Sequence, residues 1–280
     1  MVNVFTLVSE VLDEAYAEIP GAAVDKDRAV QSKLKELRAY YETVWKTGGP
    51  AFDDPVTRFA YVFAYVTCHA NLVKERIRAC PELVDLLTRP EIDITALGGG
   101  PGSDTIGVAK YLLAAEQSPA VQFYLCDRES LWAETWGDLG KKLKTGLNIN
   151  TAYIPHDALD PKTWERSRKL LRADLFTMIY FVSEIYAFRD RAQPYFEHIF
   201  ASAKPGAMFL FIDNNSDMFV DWFDGMASRA GMEVLDAGRG VQKMPRDEQM
   251  SVLQKYMDKF ATAARLTANL AYRVLRKPKV

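Results

Sequence analysis

The sequence predicts an α/β fold: a seven-stranded, mostly parallel sheet with helices on both faces, preceded by an all-helical region. Two observations support this prediction. Residues 1–90 show helical periodicity of their apolar positions and almost no pattern typical of strands. From residue 91 onward, short apolar runs alternate with helical segments, as in a mostly parallel sheet. We therefore predict a helical N-terminal region at 1–90 and a sheet domain at 91–280.

Local signals place the individual elements. Apolar residues at three- and four-residue spacing, a Gly-Gly-Pro break after Thr47 and an acidic cap before Pro55 divide the first region into helices. The predicted helices are 5 to near 20, 26–45, 56–70 with an extension to 78 left open, 81–87, 103–116, 130–145, 162–172, 190–202, 217–230 and 246–266. The predicted strands are 92–97, 121–126, 151–155, 175–182, 207–213, 232–236 and 269–276. Right-handed crossovers place the carboxyl ends of the parallel strands at one edge of the sheet.

The composition limits the partners and the location. The net charge is −2, so no global field draws the chain to nucleic acid or to an anionic membrane. Cys68, Cys80 and Cys126 show no metal-ligand spacing and cannot all pair, which fits a reducing compartment. The start lacks the segments of a signal peptide, and no apolar run approaches the length of about 18 residues that a membrane span requires. We expect a cytoplasmic protein without a metal site.

A glycine-rich turn follows the first predicted strand. Gly98, Gly100 and Gly102 lie between that strand and the next helix, and Asp127 ends the second strand. Glycines allow a ligand to approach the backbone, and an acid in this place can hold a ribose diol. The unit therefore predicts a nucleoside-containing cofactor. The alternative for Asp127 is a cap on the helix that starts near Ser130.

The spacing of the glycines discriminates between nucleotides. A P-loop requires Gly-Lys-Ser/Thr, but Ser103 and Asp104 follow Gly102, and an acid at a helix N-terminus repels phosphates. A dinucleotide fold favours G-x-G-x-x-G, whose third position here is Ser103, so a nicotinamide oxidoreductase is a distant alternative. The spacing G-x-G-x-G suits a cofactor without a pyrophosphate, whose amino-acid part crosses the turn.

At these residues the chain resembles the class I S-adenosylmethionine-dependent methyltransferases, and the resemblance extends over most of residues 91–280. Gly98–Gly102 is similar to the family's first motif, and Asp127 to its ribose-binding acid. Further similar segments are His156–Leu159 beside the adenine, Asp174–Glu184 ending beside the methyl group, and Lys204–Gly206 before the fifth strand. The resemblance implies a Rossmann-like methyltransferase sheet with an antiparallel edge, S-adenosyl-L-methionine as the cofactor, and methyl transfer to an acceptor.

The resemblance also implies a set of cofactor-binding residues. They are Gly98, Gly99, Gly100, Gly102, Asp104, Asp127, Arg128, His156, Asp157, Ala158, Phe181 and Ser183. For Asp157, the alternative is a cap on the turn that follows. One position departs from the family: Ala96 stands where an acid often holds the methionine ammonium. Asp104 or Glu184 is an alternative source of that charge.

Glu184, Tyr65 and His69 are the candidate catalytic residues. Glu184 follows the fourth predicted strand and would accept a proton if the acceptor must lose one. Tyr65 and His69 would reach the substrate if the N-terminal helices cover the cleft and exclude water. Ammonium binding is the alternative for Glu184, and core packing is the alternative for Tyr65 and His69. Trp132 and Trp136 are either packing residues or walls of the adenine pocket.

Absent motifs narrow the acceptor. No Asp/Asn-Pro-Pro-Tyr/Phe motif follows the fourth strand, which disfavours methylation of exocyclic amines in DNA. No cysteine lies at the ends of the fourth and fifth strands, which disfavours methylation of a pyrimidine C5 through a covalent adduct. We predict transfer to N or O of a small or medium organic acceptor.

Two other functions and one mode of assembly are left open. An RNA or protein methyltransferase is one alternative, and a cofactor-binding module without catalysis, consistent with Ala96, is another. The first would use the basic residues Lys141, Lys142, Lys144, Arg166, Arg168 and Lys169. The position of the last strand has two alternatives. It lies at an edge of the sheet and pairs between chains, or it lies inside the sheet. The residues concerned are Leu270, Ala271, Tyr272 and Val274.

Overall fold

A computed structural model describes residues 3–143, 145–165, 167–245 and 247–279. Its strands are β1 (Glu91–Leu97), β2 (Ala120–Asp127), β3 (Ile149–Pro155), β4 (Leu175–Ile179), β5 (Met208–Asn214), β6 (Glu233–Lys243) and β7 (Thr267–Arg276). Its α-helices are α1 (Val4–Glu18), α2 (Ala23–Glu42), α3 (Val44–Thr47), α4 (Pro55–Tyr61), α5 (Thr67–Ala79), α6 (Pro81–Leu87), α7 (Ser103–Ala114), α8 (Trp132–Lys142), α9 (Pro161–Trp164), α10 (Phe181–Ile185), α11 (Arg189–Ser202), α12 (Asp217–Arg229) and α13 (Gln254–Phe260). Short 3-10 helices cover Leu170–Arg172, Tyr186–Phe188 and Met250–Leu253, and a π-helix covers Val62–Val66. Within the described ranges, no helix has the apolar length needed to cross a bilayer.

The strands form one sheet in the order β3-β2-β1-β4-β5-β7-β6. Strands β1 to β5 are parallel, and β7 runs antiparallel between β5 and β6. The predicted seven-stranded, mostly parallel sheet with helices before and around it is confirmed. Because β7 pairs on both sides, residues 270–274 lie inside the sheet, and the alternative of pairing between chains through this strand is wrong.

Strand β4 is shorter than the predicted strand 175–182. Tyr180 adopts a left-handed conformation with φ of +58°, which ends the strand. The chain then forms α10, whose Ser183 amide donates to the buried carboxylate of Asp213 at 2.8 Å. Glu184 consequently lies on a short helix beyond β4 and not at the tip of the strand itself.

The predicted helices 162–172 and 246–266 are wrong in extent. In the described part of the chain after α9, only a 3-10 turn precedes β4, and like charges at Arg168 and Arg172 would repel each other at helical spacing. Pairing with β7 extends β6 to Lys243, and in the described residues 247–266 of the second segment only α13 and the 3-10 turn before it are helical. Ala261, with φ of +47°, ends α13.

Helix α4, the π-helix and α5 follow one another without a break. The Asp54 carboxylate caps the start by accepting two backbone amides of the first turn at 3.0 and 3.2 Å. The predicted helix is confirmed, together with its extension. A π-helical turn inside a helix is frequent at functional sites. Here it carries Tyr65 and presents the Ala64 carbonyl to the amide of Arg265 at 2.9 Å.

The N-terminal helices share one hydrophobic core with the sheet. Side chains of α1, α4 and α5 belong to the same buried cluster as Ile92 and Ile94 of β1. Helix α5 approaches α7 closely because Gly107 has no side chain: a Cβ there would lie 2.5 Å from the carbonyl oxygen of Ala70. The helical region is therefore anchored beside the glycine turn that precedes α7.

A buried ion pair joins α7 to the segment before α13. Lys110 is 1% exposed, and its Nζ donates to Glu248 Oε1 and, at 2.8 Å, to Asn71 Oδ1. The Glu248 carboxylate also accepts the amides of Val4 and Phe5, each at 3.3 Å. One carboxylate thus neutralises a buried ammonium and satisfies amides at the start of α1, where the helix dipole favours negative charge.

We expect Glu248→Gln to lower the free energy of unfolding by about 3 kcal/mol or more, because the Lys110 ammonium loses its buried counter-charge. Asp247, at 4.0 Å from Lys110 Nζ and 41% exposed, is a weak replacement. The control is Lys255→Gln, which breaks an exposed pair with Asp13 and should cost about 1 kcal/mol or less. Urea denaturation at pH 7 measures both variants. Equal small losses would contradict the role given to Glu248.

Candidate active site

The glycine turn and Asp127 meet at the carboxyl edge of the sheet. Gly98, Gly100 and Gly102 have φ values of +67°, +47° and +85°, a region that glycine enters without steric cost. The Gly100 amide donates to Asp127 Oδ2 at 3.0 Å. Asp127 Oδ1 accepts the Glu129 amide at 3.0 Å, so the carboxylate also caps the turn that follows. Burial raises the pKa of Asp127 to about 6.

A cleft of about 480 Å³ opens beside this turn. Its walls come from the segments that follow β1, β2, β3 and β4, and from one loop of the helical region. The sequence-predicted residues that line it are Gly98, Asp127, Arg128, His156, Asp157, Ala158, Phe181 and Glu184. Residues predicted from four separate strand ends are thus brought together around one space.

Three of the predicted cofactor-binding glycines, Gly99, Gly100 and Gly102, do not line the cleft. They contribute to the turn that borders it. The Gly99 amide donates to a backbone carbonyl of β2 at 3.0 Å, and the Gly100 amide is bound to the acid at the end of that strand. A Cβ on Gly102 would lie 2.3 Å from the ring of Trp136. Trp136 therefore packs on the turn, and Trp132, 1% exposed, is a core residue. Neither tryptophan lines the cleft.

Asp104 also lies outside the lining of the cleft. It is 3% exposed, and its carboxylate accepts the hydroxyl of Thr177 on β4. Burial raises its pKa to about 7. Of the two acids predicted as replacements for the acid missing at Ala96, Glu184 is the one that lines the cleft.

The loop Gly48–Pro50 closes one side of the cleft. The Gly49 amide donates to the Glu184 carbonyl at 2.9 Å, and Arg128 donates to the carbonyls of Gly49 and Pro50 at 3.1 and 3.2 Å. A Cβ on Gly49 would lie 2.9 Å from Glu184 Oε2, so the close approach requires glycine. The helical region thereby supplies part of the wall between the cleft and solvent.

His156 contributes a neutral ring to the cleft. Its Nε2 lies 2.9 Å from Tyr195 Oη, and its buried Nδ1 has no hydrogen-bond partner among the described residues. Burial lowers the pKa of His156 to about 4, so the ring is uncharged at pH 7. Next to it, Asp157 Oδ1 accepts the Leu159 amide at 2.8 Å, which makes Asp157 a turn cap as well as a lining residue.

A second cavity of about 290 Å³ adjoins the cleft at Glu184. This aromatic pocket is lined by Tyr41, Tyr61, Tyr65, His69, Tyr180, Ser183, Glu184, Asn214 and Arg265. The three predicted catalytic residues, Glu184, Tyr65 and His69, therefore lie around one space. Glu184 Oε1 accepts the Tyr41 hydroxyl at 2.8 Å, and burial raises the pKa of Glu184 to about 7. The carboxyl group shared by the two cavities is thus poised to exchange a proton near neutral pH.

Stacked rings form one wall of the aromatic pocket. The ring centroid of His69 lies 4.4 Å from that of Tyr180 and 5.8 Å from that of Tyr65. Burial holds the pKa of His69 well below its usual value, so its ring is neutral. His69 Nε2 and the Tyr180 hydroxyl are buried without a hydrogen-bond partner in the described ranges. An unsatisfied buried polar group costs about 1–3 kcal/mol, so both atoms favour a polar ligand.

Sequence reasoning missed several residues of the site. Asp213 and Asn214 end β5 at the same edge as the glycine turn, and that position at a strand end is the signal that identifies them. The buried Asp213 carboxylate accepts the amides of Ser183 and Asn214 at 2.8 and 2.7 Å, and burial raises its pKa to about 6. Tyr41 and Arg265 are brought in by α2 and by the segment after α13, and no local pattern marks them.

The basic residues behind the RNA alternative do not line the site. Lys144 and Arg166 lie outside the described residues. Lys141 and Lys142 on α8 each form an ion pair with a carboxylate, and the remaining members of the set are exposed before β4. None of the described members lines the cleft or the aromatic pocket.

The fold is similar to that of solved methyltransferase structures, whereas no protein-family model and no curated protein sequence matches the chain. An O-methyltransferase family protein from Burkholderia thailandensis is 12% identical, over 92% of this chain and 71% of that chain, with a TM-score of 0.49. The plantazolicin methyltransferase BpumL, solved in complex with SAH, is 13% identical over 89% of this chain and 99% of that chain, with a TM-score of 0.48. The CurJ carbon methyltransferase is 13% identical over 91% of this chain and 68% of that chain, also with a TM-score of 0.48. These similarities concern the fold alone.

Burial of Asp104 generates a prediction about pH and stability. Its folded-state pKa of about 7 exceeds the ordinary value of 3.8, so the folded protein binds this proton more tightly than the unfolded chain does. The resulting stabilisation is complete below pH 3.8 and is lost as the pH rises through 7. We expect Asp104→Asn, which keeps an acceptor for Thr177, to weaken the decline in stability between pH 5 and pH 8.

Urea denaturation at these two pH values measures the effect. Asp221→Asn, on the exposed side of α12, is the control and should follow the pH dependence of the wild type. An unchanged decline in Asp104→Asn would show that the Asp104 proton does not contribute.

Proposed function

We propose that the protein is an S-adenosylmethionine-dependent methyltransferase that acts on N or O of a small or medium organic acceptor. One observation carries the proposal: Glu184 is shared by two adjoining cavities. The first is built around the glycine turn and Asp127, and the second is lined by aromatic side chains. A transfer between two bound molecules requires such a pair of adjoining sites, because it holds the reacting atoms together.

The residues of the cleft fit this cofactor. The Asp127 carboxylate accepts one amide on each oxygen and keeps a further lone pair on each for a ribose diol. The buried Nδ1 of His156 and the segment Asp157–Leu159 offer polar and apolar contacts to an adenine. The carboxyl groups of Asp127 and Glu184 suit a ligand that carries an ammonium and a sulfonium.

The chain's own groups then support the transfer. When bound, S-adenosylmethionine supplies a methyl group on a positively charged sulfur. An acceptor atom attacks this methyl carbon in line with the carbon–sulfur bond, and the sulfur is the leaving group. The loop Gly48–Pro50 closes one side of the cleft and limits the access of water. Tyr41 binds Glu184 Oε1, and the Glu184 carboxylate takes the proton that a neutral nucleophile loses. Tyr65 and His69 form the wall that positions the acceptor.

Two observations support this function over the alternatives. The aromatic pocket is narrow and lined by side chains, which suits a small molecule better than RNA or protein. The Glu184 carboxyl, with its pKa of about 7, suits a proton acceptor and supports catalysis over a cofactor-binding module that is silent.

Removal of the Asp127 carboxylate tests the cofactor site. We expect S-adenosylhomocysteine to bind the wild type with a micromolar Kd, and Asp127→Ala to weaken binding by about 10- to 100-fold because a charged hydrogen-bond partner is lost. Wild-type affinity should also fall below pH 6 as this carboxylate takes up a proton. Isothermal titration calorimetry measures both effects. The exposed control Asp221→Ala should bind like the wild type, and absence of binding to the wild type would refute the proposed function.

Replacement of Glu184 separates a proton acceptor from an ammonium ligand. We expect Glu184→Gln to raise the Kd for S-adenosylmethionine by less than about tenfold, because one of two carboxylates near the cation is lost, and to slow labelled methyl transfer into a small-molecule extract by about 100-fold or more. The wild-type kcat/KM for the cofactor should rise as the pH passes through 7, because it reports the ligand-free protein, in which Glu184 must be ionised to accept a proton. The exposed Glu197→Gln on α11 is the matched control. A large loss of cofactor affinity with an unchanged pH profile would assign Glu184 to the ammonium instead.

A further inference from the structure

We propose that the acceptor is a single-ring aromatic acid that carries a hydroxyl group, with its hydroxyl on Glu184 and its carboxylate on Arg265. The inference rests on the proposed function and adds the substrate class. The aromatic pocket has a carboxyl group where it meets the cofactor cleft and a guanidinium where it opens outward. A ligand that fits both ends carries a hydrogen-bond donor at one end and a negative charge at the other.

The outer end of the aromatic pocket is positively charged. It opens into a wider cavity of about 820 Å³, the vestibule, and the two spaces share Arg265 among their lining residues. Helix α2 adds Arg38 and Glu42 to the vestibule, both exposed. A ligand that enters from solvent therefore passes two guanidinium groups and one carboxylate before it reaches the rings, and their net positive charge favours an anion.

Arg265 is held in place but has no anionic partner among the described residues. Its amide donates to the Ala64 carbonyl of the π-helix at 2.9 Å, and its guanidinium carbon lies 4.9 Å from the centre of the Tyr180 ring. Its Nε donates weakly to the Thr267 carbonyl at 3.4 Å. No carboxylate of the described residues forms an ion pair with Arg265, whereas Arg273 and Arg276 each have one. A stacked guanidinium retains N–H groups for a bidentate bond to a carboxylate.

The middle of the aromatic pocket fits one flat ring. The space between its aromatic side chains is narrow, which suits a flat ligand better than a bulky one. The stacked His69 and Tyr180 rings form one wall, and Tyr41 and Tyr65 stand edge to face beside it with centroids 5.3 Å apart. His69 Nε2 and the Tyr180 hydroxyl need a polar partner, so a ring with polar substituents satisfies this wall and a plain hydrocarbon does not.

The inner end favours a phenolic hydroxyl. The acceptor oxygen forms a bond to the methyl carbon while the carbon–sulfur bond breaks, the electron pair of that bond stays on sulfur, and the hydroxyl proton passes to Glu184. The products are an aryl methyl ether and S-adenosylhomocysteine, and Glu184 returns its proton to water. A phenol has a pKa of about 10, close enough to that of Glu184 for this transfer, whereas an aliphatic alcohol is far less acidic.

Three matched probes test the charge at the outer end. We would titrate 4-hydroxybenzoate, its uncharged analogue 4-hydroxybenzamide, and benzoate by calorimetry, with and without S-adenosylhomocysteine. We expect 4-hydroxybenzoate to bind at least about tenfold more tightly than the amide, because only the acid pairs with Arg265. Arg265→Gln should abolish this preference. Arg229→Gln, in the last turn of α12 and therefore at the opposite edge of the sheet, should keep it.

Product analysis tests the orientation. With S-adenosylmethionine and 4-hydroxybenzoate, mass spectrometry should detect 4-methoxybenzoate. A methyl ester would place the carboxylate beside the methyl group and overturn the proposed orientation. Faster methylation of 4-aminobenzoate on nitrogen would overturn the assignment of a hydroxyl.

The outcomes separate this inference from the proposed function. If S-adenosylhomocysteine binds but the acid is not preferred over the amide, or no probe binds, the inference falls and the proposed function stands. If the acid is preferred but S-adenosylhomocysteine does not bind, the ligand class stands and the methyltransferase proposal falls. Binding of S-adenosylhomocysteine by Arg265→Gln shows that this variant is folded.

Discussion

The hydrogen bond between the Asp213 carboxylate and the Ser183 amide holds together the point where the two cavities meet. It ties the end of β5 to α10, and the left-handed turn at Tyr180 directs α10 across the edge of the sheet. Phe181 then lines the cleft, while Glu184 lines both spaces. The candidate base is therefore carried by a short helix that is bound to two central strands, which limits its motion relative to the glycine turn.

The N-terminal helical region contacts Glu184 and supplies part of the walls of the two cavities. Tyr41 on α2 binds the Glu184 side chain, and the Gly49 backbone binds the main chain of the same residue. The close approach of α5 to α7 at Gly107 anchors this cover beside the glycine turn. Because the N-terminal helices and β1 share one hydrophobic core, opening the cover as a unit would expose apolar surface. Local movement of the loop Gly48–Pro50 requires only a few hydrogen bonds to break.

Buried acids dominate the electrostatics of the sheet edge. Asp104, Asp127, Glu184 and Asp213 all have a raised pKa, and in each case burial is the main cause. Burial in a medium of low dielectric constant disfavours the charged form, and only hydrogen bonds or a nearby cation offset this effect. A cationic ligand beside Asp127 and Glu184 would favour their ionised forms. Its binding is thereby coupled to the release of protons, through the same linkage that makes the stability of the fold depend on pH.

Much of the fold and the position of the cleft could be predicted from local signals. Hydrophobic periodicity identified the strands, and the glycine turn with Asp127 located the cleft, because a tight turn and a strand end are set by residues close in sequence. The end of β4 could not be predicted, since an apolar run through Tyr180 does not reveal a left-handed residue whose helix is held by Asp213.

The sequence by itself determined the order of strands and helices, the glycine turn and the acid that meets it. Only the tertiary structure decided that Tyr41 binds Glu184, 143 residues away in the chain. It also decided that Arg265 lies where the aromatic pocket opens outward. It also placed Asp104 in the core and not in the cleft. The physical reason is the range of the interactions. Backbone conformation follows from neighbouring residues, whereas a shared cavity exists only after distant helices have packed on the sheet.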